Sequence, residues 1–163
     1  MAAALANHTI EYCSEYRHSM DDKRRVQIPA KWRSQDGAEV EYTLVRWPHG
    51  PQPEACLMVF PPDEWQALVA KVKSMPFVDP KAQALRRLLS RKSVQAALDK
   101  AGRICVPEEL AKKVGIEREV VLVGLLDCFQ IWNPERYNAV SAEDELLFAE
   151  AFELLGQDNK ERL

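Results

Sequence analysis

Two short stretches of this chain gather cationic side chains around a carboxylate, and both follow one pattern. The first is Met20-Asp21-Asp22-Lys23-Arg24-Arg25-Val26-Gln27-Ile28-Pro29 and the second is Leu98-Asp99-Lys100-Ala101-Gly102-Arg103-Ile104-Cys105-Val106-Pro107. Each runs from an apolar residue to Asp, three residues, Arg, an apolar-polar-apolar run and Pro. Asp99 follows Asp21 at an offset of 78, and Pro107 follows Pro29 at the same offset. On a strand-turn element the backbone lies near the surface, where guanidinium forks and ammonium groups can reach phosphate oxygens or guanine edges. The residues able to do this are Lys23, Arg24, Arg25, Lys100 and Arg103. The bland alternative is that they form a solvated face. For Asp21 and Asp99 the structural reading is preferred: each braces its own turn or pairs with the Arg four residues on. Arg25 and Arg103 could be consumed by those pairs, which would leave Lys23, Arg24 and Lys100 for phosphates.

Other chemistries have less support. His8, His18 and His49 have no Cys or carboxylate at ligand spacing, so no metal or other cofactor is expected. The six glycines build no phosphate-binding loop and no nucleophile motif occurs, so the chain does not read as an enzyme. Cys13, Cys56, Cys105 and Cys128 show no CxxC spacing and lie mostly in apolar runs, as expected of buried, reduced thiols in a cytoplasmic protein. Met1 to Ala6 is too short for a signal peptide and lacks its basic flank. No apolar run approaches membrane-spanning length.

The elements that must position the two charged motifs are themselves duplicated. Tyr42-Thr43-Leu44-Val45 aligns with Val120-Val121-Leu122-Val123, again at an offset of 78. Cys56-Leu57-Met58-Val59-Phe60-Pro61-Pro62 aligns with Cys128-Phe129-Gln130-Ile131-Trp132-Asn133-Pro134 at an offset of 72. The difference falls in Trp47-Pro48-His49-Gly50-Pro51-Gln52-Pro53-Glu54, whose Pro and Gly predict a loop. Strands are expected near Glu11 to Ser19, at Val26 and Ile28, and over 41–46, 56–60, 120–123 and 129–132. A short helix follows Pro29, an amphipathic one covers 63–73, and Asp79-Pro80 opens another to about Lys92. Pro107 to Gly115 is a helix with acid first, base last and Gly at its end. Asn133-Pro134 starts a further helix, and Ser141 with Asp144 predicts a capping box opening the last one. Residues 1–10 and the polar tail after Gly156 are expected to be poorly ordered.

The resulting architecture is α+β and mainly β: two half-barrels that cannot close alone and pair about a pseudo-twofold axis, with short flanking helices. The boundaries expected are 15–62 for the first repeat, 63–90 for a helical connection, 91–134 for the second repeat and 135–163 for a C-terminal helix and tail. A 47% apolar composition fits a globular chain of 163 residues. The net charge of −3 argues against a polyanionic partner until its distribution is considered. Lys81 to Arg103 holds seven cations against one anion, and Glu15 to Arg33 six against three, whereas Glu143, Asp144, Glu145, Glu150 and Glu153 have no cation among them.

Over about Glu11 to Tyr137 the sequence resembles the MraZ family of bacterial transcriptional regulators, built from two SpoVT/AbrB-like domains. The paired Asp-x-x-x-Arg signatures are carried by Asp21 with Arg25 and by Asp99 with Arg103; Val120-Val121-Leu122-Val123-Gly124 and Phe129-Gln130-Ile131-Trp132 also look like the family's second copy. The resemblance implies a swapped-hairpin (double-split) β-barrel of the SpoVT/AbrB type and a ring-shaped homo-oligomer. It further implies binding of double-stranded DNA at direct repeats upstream of the division and cell-wall gene cluster, in the cytoplasm at the nucleoid. No membrane partner and no small-molecule ligand are expected. The class kept as an alternative is an AbrB-like antitoxin or other partner-binding module, which two full copies and a short last helix argue against. The sequence departs from the family pattern at Arg24, where the second copy has the usual Gly102. Either the first turn has another shape, or it tolerates strain of roughly 1–2 kcal/mol to present one more cation.

Overall fold

The computed structural model describes residues 10–34 and 39–161. The N-terminal extension and His8 lie outside them, except that Ile10 is described. In chain order the strands are β1 (Glu15–Ser19), β2 (Arg25–Gln27), β3 (Glu41–His49), β4 (Gln52–Phe60), β5 (Ser93–Ala97), β6 (Arg103–Cys105), β7 (Glu119–Gly124) and β8 (Phe129–Trp132). A 3-10 turn (Ala30–Trp32) follows β2; the α-helices are α1 (Pro62–Ser74), α2 (Pro80–Lys92), α3 (Glu108–Lys113) and α4 (Pro134–Glu161). Subtracting 78 carries β5 onto β1, β6 onto β2, the start of α3 onto that of the 3-10 turn, and the start of β7 onto that of β3.

The two copies are interleaved. β1 pairs with β7, in register Glu15↔Val123, and β5 with β3, in register Val45↔Ser93, so each repeat lends its first strand to the other. β4 pairs with β8 through Met58↔Gln130, and β2 with β6 through Val26↔Ile104. The members of both pairs are repeat-equivalent, so the pseudo-twofold axis passes through Val26/Ile104 and Met58/Gln130. The outcome is a six-stranded antiparallel sheet, in the order β1-β7-β8-β4-β3-β5, and a separate two-stranded ladder of β2 with β6. Hydrogen bonding among the described residues leaves β1 and β5 as sheet edges and closes no barrel.

Alternation in the strands sorts the side chains into two layers, as a period of two requires. Leu44, Leu57, Val59, Leu122 and Ile131 point to one side, where they meet Val26, Ile28, Ile104 and Val106 from the ladder. Val45, Met58 and Phe60 point to the other, against Trp65 and Leu68 of α1 and Leu89 of α2. At its start α2 is capped as its sequence implies, with the Asp79 carboxylate accepting from the Lys81 N–H at 2.9 Å. At the end of α3, Gly115 has φ +75° and Ile116 N–H donates to the Ala111 carbonyl at 2.8 Å, which completes the expected glycine stop.

Three expectations need correction. The Pro/Gly segment is no loop: β3 and β4 run through it to the pair His49↔Gln52, with a register shift between Trp47 and His49. That bulge admits Pro48, which cannot donate to a ladder, and Gly50 turns the chain at φ +56°. The C-terminal segment is one helix of 28 residues, α4, and not two. Nothing between Pro134 and Ser141 breaks a helix, so Ser141 lies in its interior, and Gly156 costs about 1 kcal/mol without ending it. Continuous helix to Glu161 replaces the expected polar tail. α4 exposes Leu146, Leu147, Phe148, Phe152, Leu154 and Leu155.

The cysteines also divide. Cys56 and Cys128 are buried, and desolvation pushes both thiols up to about 12. Cys13 and Cys105 are exposed, Cys105 because it alternates with the fully buried Ile104 and Val106. Among the described residues no helix is long and apolar enough to cross a membrane. A maleimide at neutral pH should therefore label two cysteines in the native protein and four after denaturation, counted by intact mass. Rapid native labelling of all four would contradict this packing.

Candidate functional site

All five candidate cations lie on the β2–β6 ladder or on the turns that enter it. Its inward residues, Val26 and Ile104, are fully buried. Its outward residues are therefore Arg25 and Gln27 from one strand and Arg103 and Cys105 from the other, paired Arg25↔Cys105 and Gln27↔Arg103. Lys23 and Arg24 stand on the turn entering β2 and Lys100 on the turn entering β6. Gln27 is not among the residues singled out by type and spacing, although the alternation of β2 puts it on the face of Arg25. Its side-chain amide donates to the carbonyls of Ala101 at 3.0 Å and Gly102 at 3.3 Å, so it ties its own strand to the opposite turn. Cys105 Sγ lies 3.6 Å from the Lys23 carbonyl oxygen, the matching place on the other side.

Each turn is built on one carboxylate. Asp21 Oδ1 accepts from the N–H groups of Lys23 at 2.9 Å and Arg25 at 2.8 Å; Asp99 Oδ1 accepts from those of Ala101 and Arg103, both at 2.9 Å. The other oxygen takes the arginine Nε, at 2.7 Å for Asp21–Arg25 and 2.9 Å for Asp99–Arg103. Bracing is therefore the job of both aspartates, and both arginines share in it. The pairing does not consume them. It engages Nε, and the terminal nitrogens that form the fork stay outside that bond. Arg103 Nη1 also lies 3.9 Å from Asp21 Oδ2, so the two turns are electrostatically linked across the pseudo-twofold axis. The side chains of Arg25 and Arg103 remain 30% and 33% exposed, enough for an outside partner to reach them.

Arg24 adopts φ +58° and Gly102 φ +78°. The two turns thus have the same shape, and matching bonds follow: Arg24 N–H to Asp21 O at 2.9 Å and Gly102 N–H to Asp99 O at 3.0 Å. Of the two alternatives at Arg24, the structure selects strain. A non-glycine residue in the left-handed region costs about 1–2 kcal/mol, and here it carries a cation whose side chain is 42% exposed. Its Nη1 comes within 4.0 Å of Glu108 Oε2.

The two histidines within the described residues lie apart in the chain fold, His18 on β1 and His49 on β3. No group of three or more His, Cys, Asp or Glu among the described residues could hold a metal ion.

Hydrogen bonds from the Arg25 backbone N–H and guanidinium hold the Asp21 carboxyl below its ordinary value of 3.8, and those from Arg103 do the same for Asp99. Folding thus favours the ionised form. The stability this contributes is complete above about pH 3.8 and is lost as pH falls through the lowered values. Asp99→Asn should melt below wild type at pH 6, and the gap should shrink as the pH is taken from 4 to 2. Thermal melts across that range check this; a gap that stays constant would show that the charge of Asp99 does not brace the turn.

The protein family described as "MraZ protein, putative antitoxin-like" matches the chain twice, over residues 12–88 and 89–158. A protein of Thermomicrobium roseum named "Transcriptional regulator MraZ" is 36% identical over 139 residues, which is 85% of this chain and 91% of the relative. Proteins of the same name from Oenococcus oeni and Acetivibrio thermocellus are 36% and 30% identical. They align over 82% and 89% of this chain and 90% and 99% of their own length.

Proposed function

We propose, for a chain that belongs to the MraZ family, that it is a sequence-specific DNA-binding transcriptional regulator and that the β2–β6 ladder meets the duplex. The observation that carries this is the outward face of the ladder. Two arginines related by the pseudo-twofold axis stand on it, with Lys23, Arg24 and Lys100 at its ends. A two-stranded ribbon fits the major groove of B-DNA, about 12 Å wide, where Arg and Lys can neutralise phosphate and Arg can also grip the O6 and N7 of guanine. The curated relatives named as transcriptional regulators support the same reading.

The finer elements follow from the family. The fold is a double-split barrel in which residues 15–62 and 91–134 are the exchanging repeats. Residues 63–90 connect them and 135–163 form the C-terminal appendage. Copies of the chain join into a ring, whose head-to-tail contacts repeat one orientation from subunit to subunit. A row of identically oriented ribbons suits direct repeats, here upstream of the division and cell-wall gene cluster on nucleoid DNA, and many weak contacts add through effective concentration. A partner-binding, antitoxin-like role gains one specific observation, because the last helix is 28 residues long and exposes Phe148 and Phe152.

Two measurements test this. Arg25→Ala and Arg103→Ala should each weaken binding to duplex DNA from upstream of the protein's own gene by about 5- to 150-fold, the equivalent of about 1–3 kcal/mol. Each should also flatten the salt dependence, by about 0.9 in log–log slope for every phosphate no longer neutralised. Lower melting temperatures with an unchanged salt slope would reduce the arginines to turn braces, and no binding by wild type would favour the partner-binding role. Light scattering coupled to size exclusion should give several times 18.6 kDa at micromolar concentration; a monomer there would overturn the ring.

A further inference from the structure

Between their shared Asp and Arg the two turns differ at all three positions, and the difference at the third is offset from another part of the chain. Position 24 is Arg, and its repeat-equivalent in the second copy is Gly102. Position 33 is Arg and its equivalent is Ala111. The first copy therefore holds both arginines, Arg24 at the turn and Arg33 beyond the strand, and the second both small residues, Gly102 and Ala111. Backbone bonding brings the exchanged partners together: Ile28 N–H donates to Gly102 O and Val106 N–H to Arg24 O, both at 2.9 Å. The segment that follows β2 thus passes over the second copy's turn, and the segment that follows β6 passes over the first copy's.

Arg33, which ends the 3-10 turn, lies directly on Gly102. A methyl group built on Gly102 would stand 2.7 Å from both Cδ and Cζ of Arg33, so the missing side chain is the space the guanidinium occupies. Ala30, the counterpart of Glu108, puts no carboxylate where Arg24 finds one. The Nε atoms of Arg24 and of Arg33 are both shielded from solvent and have no hydrogen-bond partner in the protein. The same holds for Nε of Arg46 and Arg86, and a shielded Nε is out of reach of an outside acceptor, so it is the terminal nitrogens of the fork that can meet a phosphate.

We infer that Arg33 is a further DNA-contacting residue, the stand-in at the second turn for what Arg24 supplies at the first. Each turn then presents a guanidinium at its left-handed position. The first does so at the expense of backbone strain. The second keeps glycine, avoids the strain, and receives its cation across the pseudo-twofold axis. The ligand group is a phosphate of duplex DNA, and the inference rests on the ladder being the DNA-binding surface.

The test uses the full-length protein and the duplex from upstream of its own gene, titrated between about 50 and 200 mM salt. Arg33→Met keeps the apolar stem over Gly102 and removes the charge, so folding is preserved; melting temperatures of all variants are taken alongside. Removing one phosphate contact should lower the log–log slope by about 0.9, so that the affinity gap to wild type narrows about 3.5-fold over this range. The double variant Arg33→Ala with Gly102→Arg moves the cation to the position used in the first copy and should recover the wild-type slope. A wild-type slope in Arg33→Met, beside a reduced one in Arg25→Ala, would show that Arg33 only packs on the turn and would overturn the inference alone. If wild type does not bind the duplex, or Arg25→Ala and Arg33→Met both retain its slope, the DNA-binding reading falls and takes this inference with it.

Discussion

A carboxylate that accepts from two backbone N–H groups and one guanidinium is the interaction on which the charged surface depends. Asp21 and Asp99 each close a tight turn, fix the entry to a three-residue strand and orient the arginine that begins it. Such short strands could not keep a register by their own ladder. Theirs is set by the turns at one end and by the complete burial of Val26 and Ile104 at the middle. A negative charge within a cationic surface looks self-defeating if only charges are summed. It is not, because binding to Nε orders the arginine and leaves the fork that recognises planar acceptors outside the bond.

Much of this is legible in the residues. The offset of 78 locates both turns, and it also governs pairing: β1 with β7, β5 with β3 and β2 with β6 all take registers that obey it. The Asp/Arg spacing reads as a brace, with no means of telling that the brace uses Nε and leaves the terminal nitrogens outside that bond. Expectation fails where a local signal is outweighed by something non-local. Pro48 and Gly50 read as a loop because the bulge that accommodates a proline is set by the partner strand. Ser141 looks like a cap because capping residues are recognised without reference to the helix already running through them. Cys105 sorts with the buried thiols because a strand of three residues is too short for its alternation to decide which side faces out. Gln27 has only its alternation with Val26 as a local signal, and Arg33 only its charge. Their partners, the carbonyls of the second turn and Gly102, belong to the other repeat.

The two copies are informative side by side for the same reason. They agree in backbone down to the left-handed φ at Arg24 and Gly102, and they differ in which residue fills the space above it. Identical geometry with different side-chain sources is what a duplicated unit permits once its halves exchange elements. A change in one copy can then be compensated in the other.

The interleaving also governs when this chain can fold. Glu15 finds its partner at Val123, and the last strand of the sheet ends only at Trp132. During synthesis the first repeat emerges with its β1 edge unpaired and its charged turn lacking the ladder partner. Native contacts of such large sequence separation give slow, cooperative folding, because the closure entropy precedes the reward. A truncated message would yield a product with every cation of the first turn and no ribbon to carry them. The two-stranded ladder is thereby formed only once the chain has been made through Cys105.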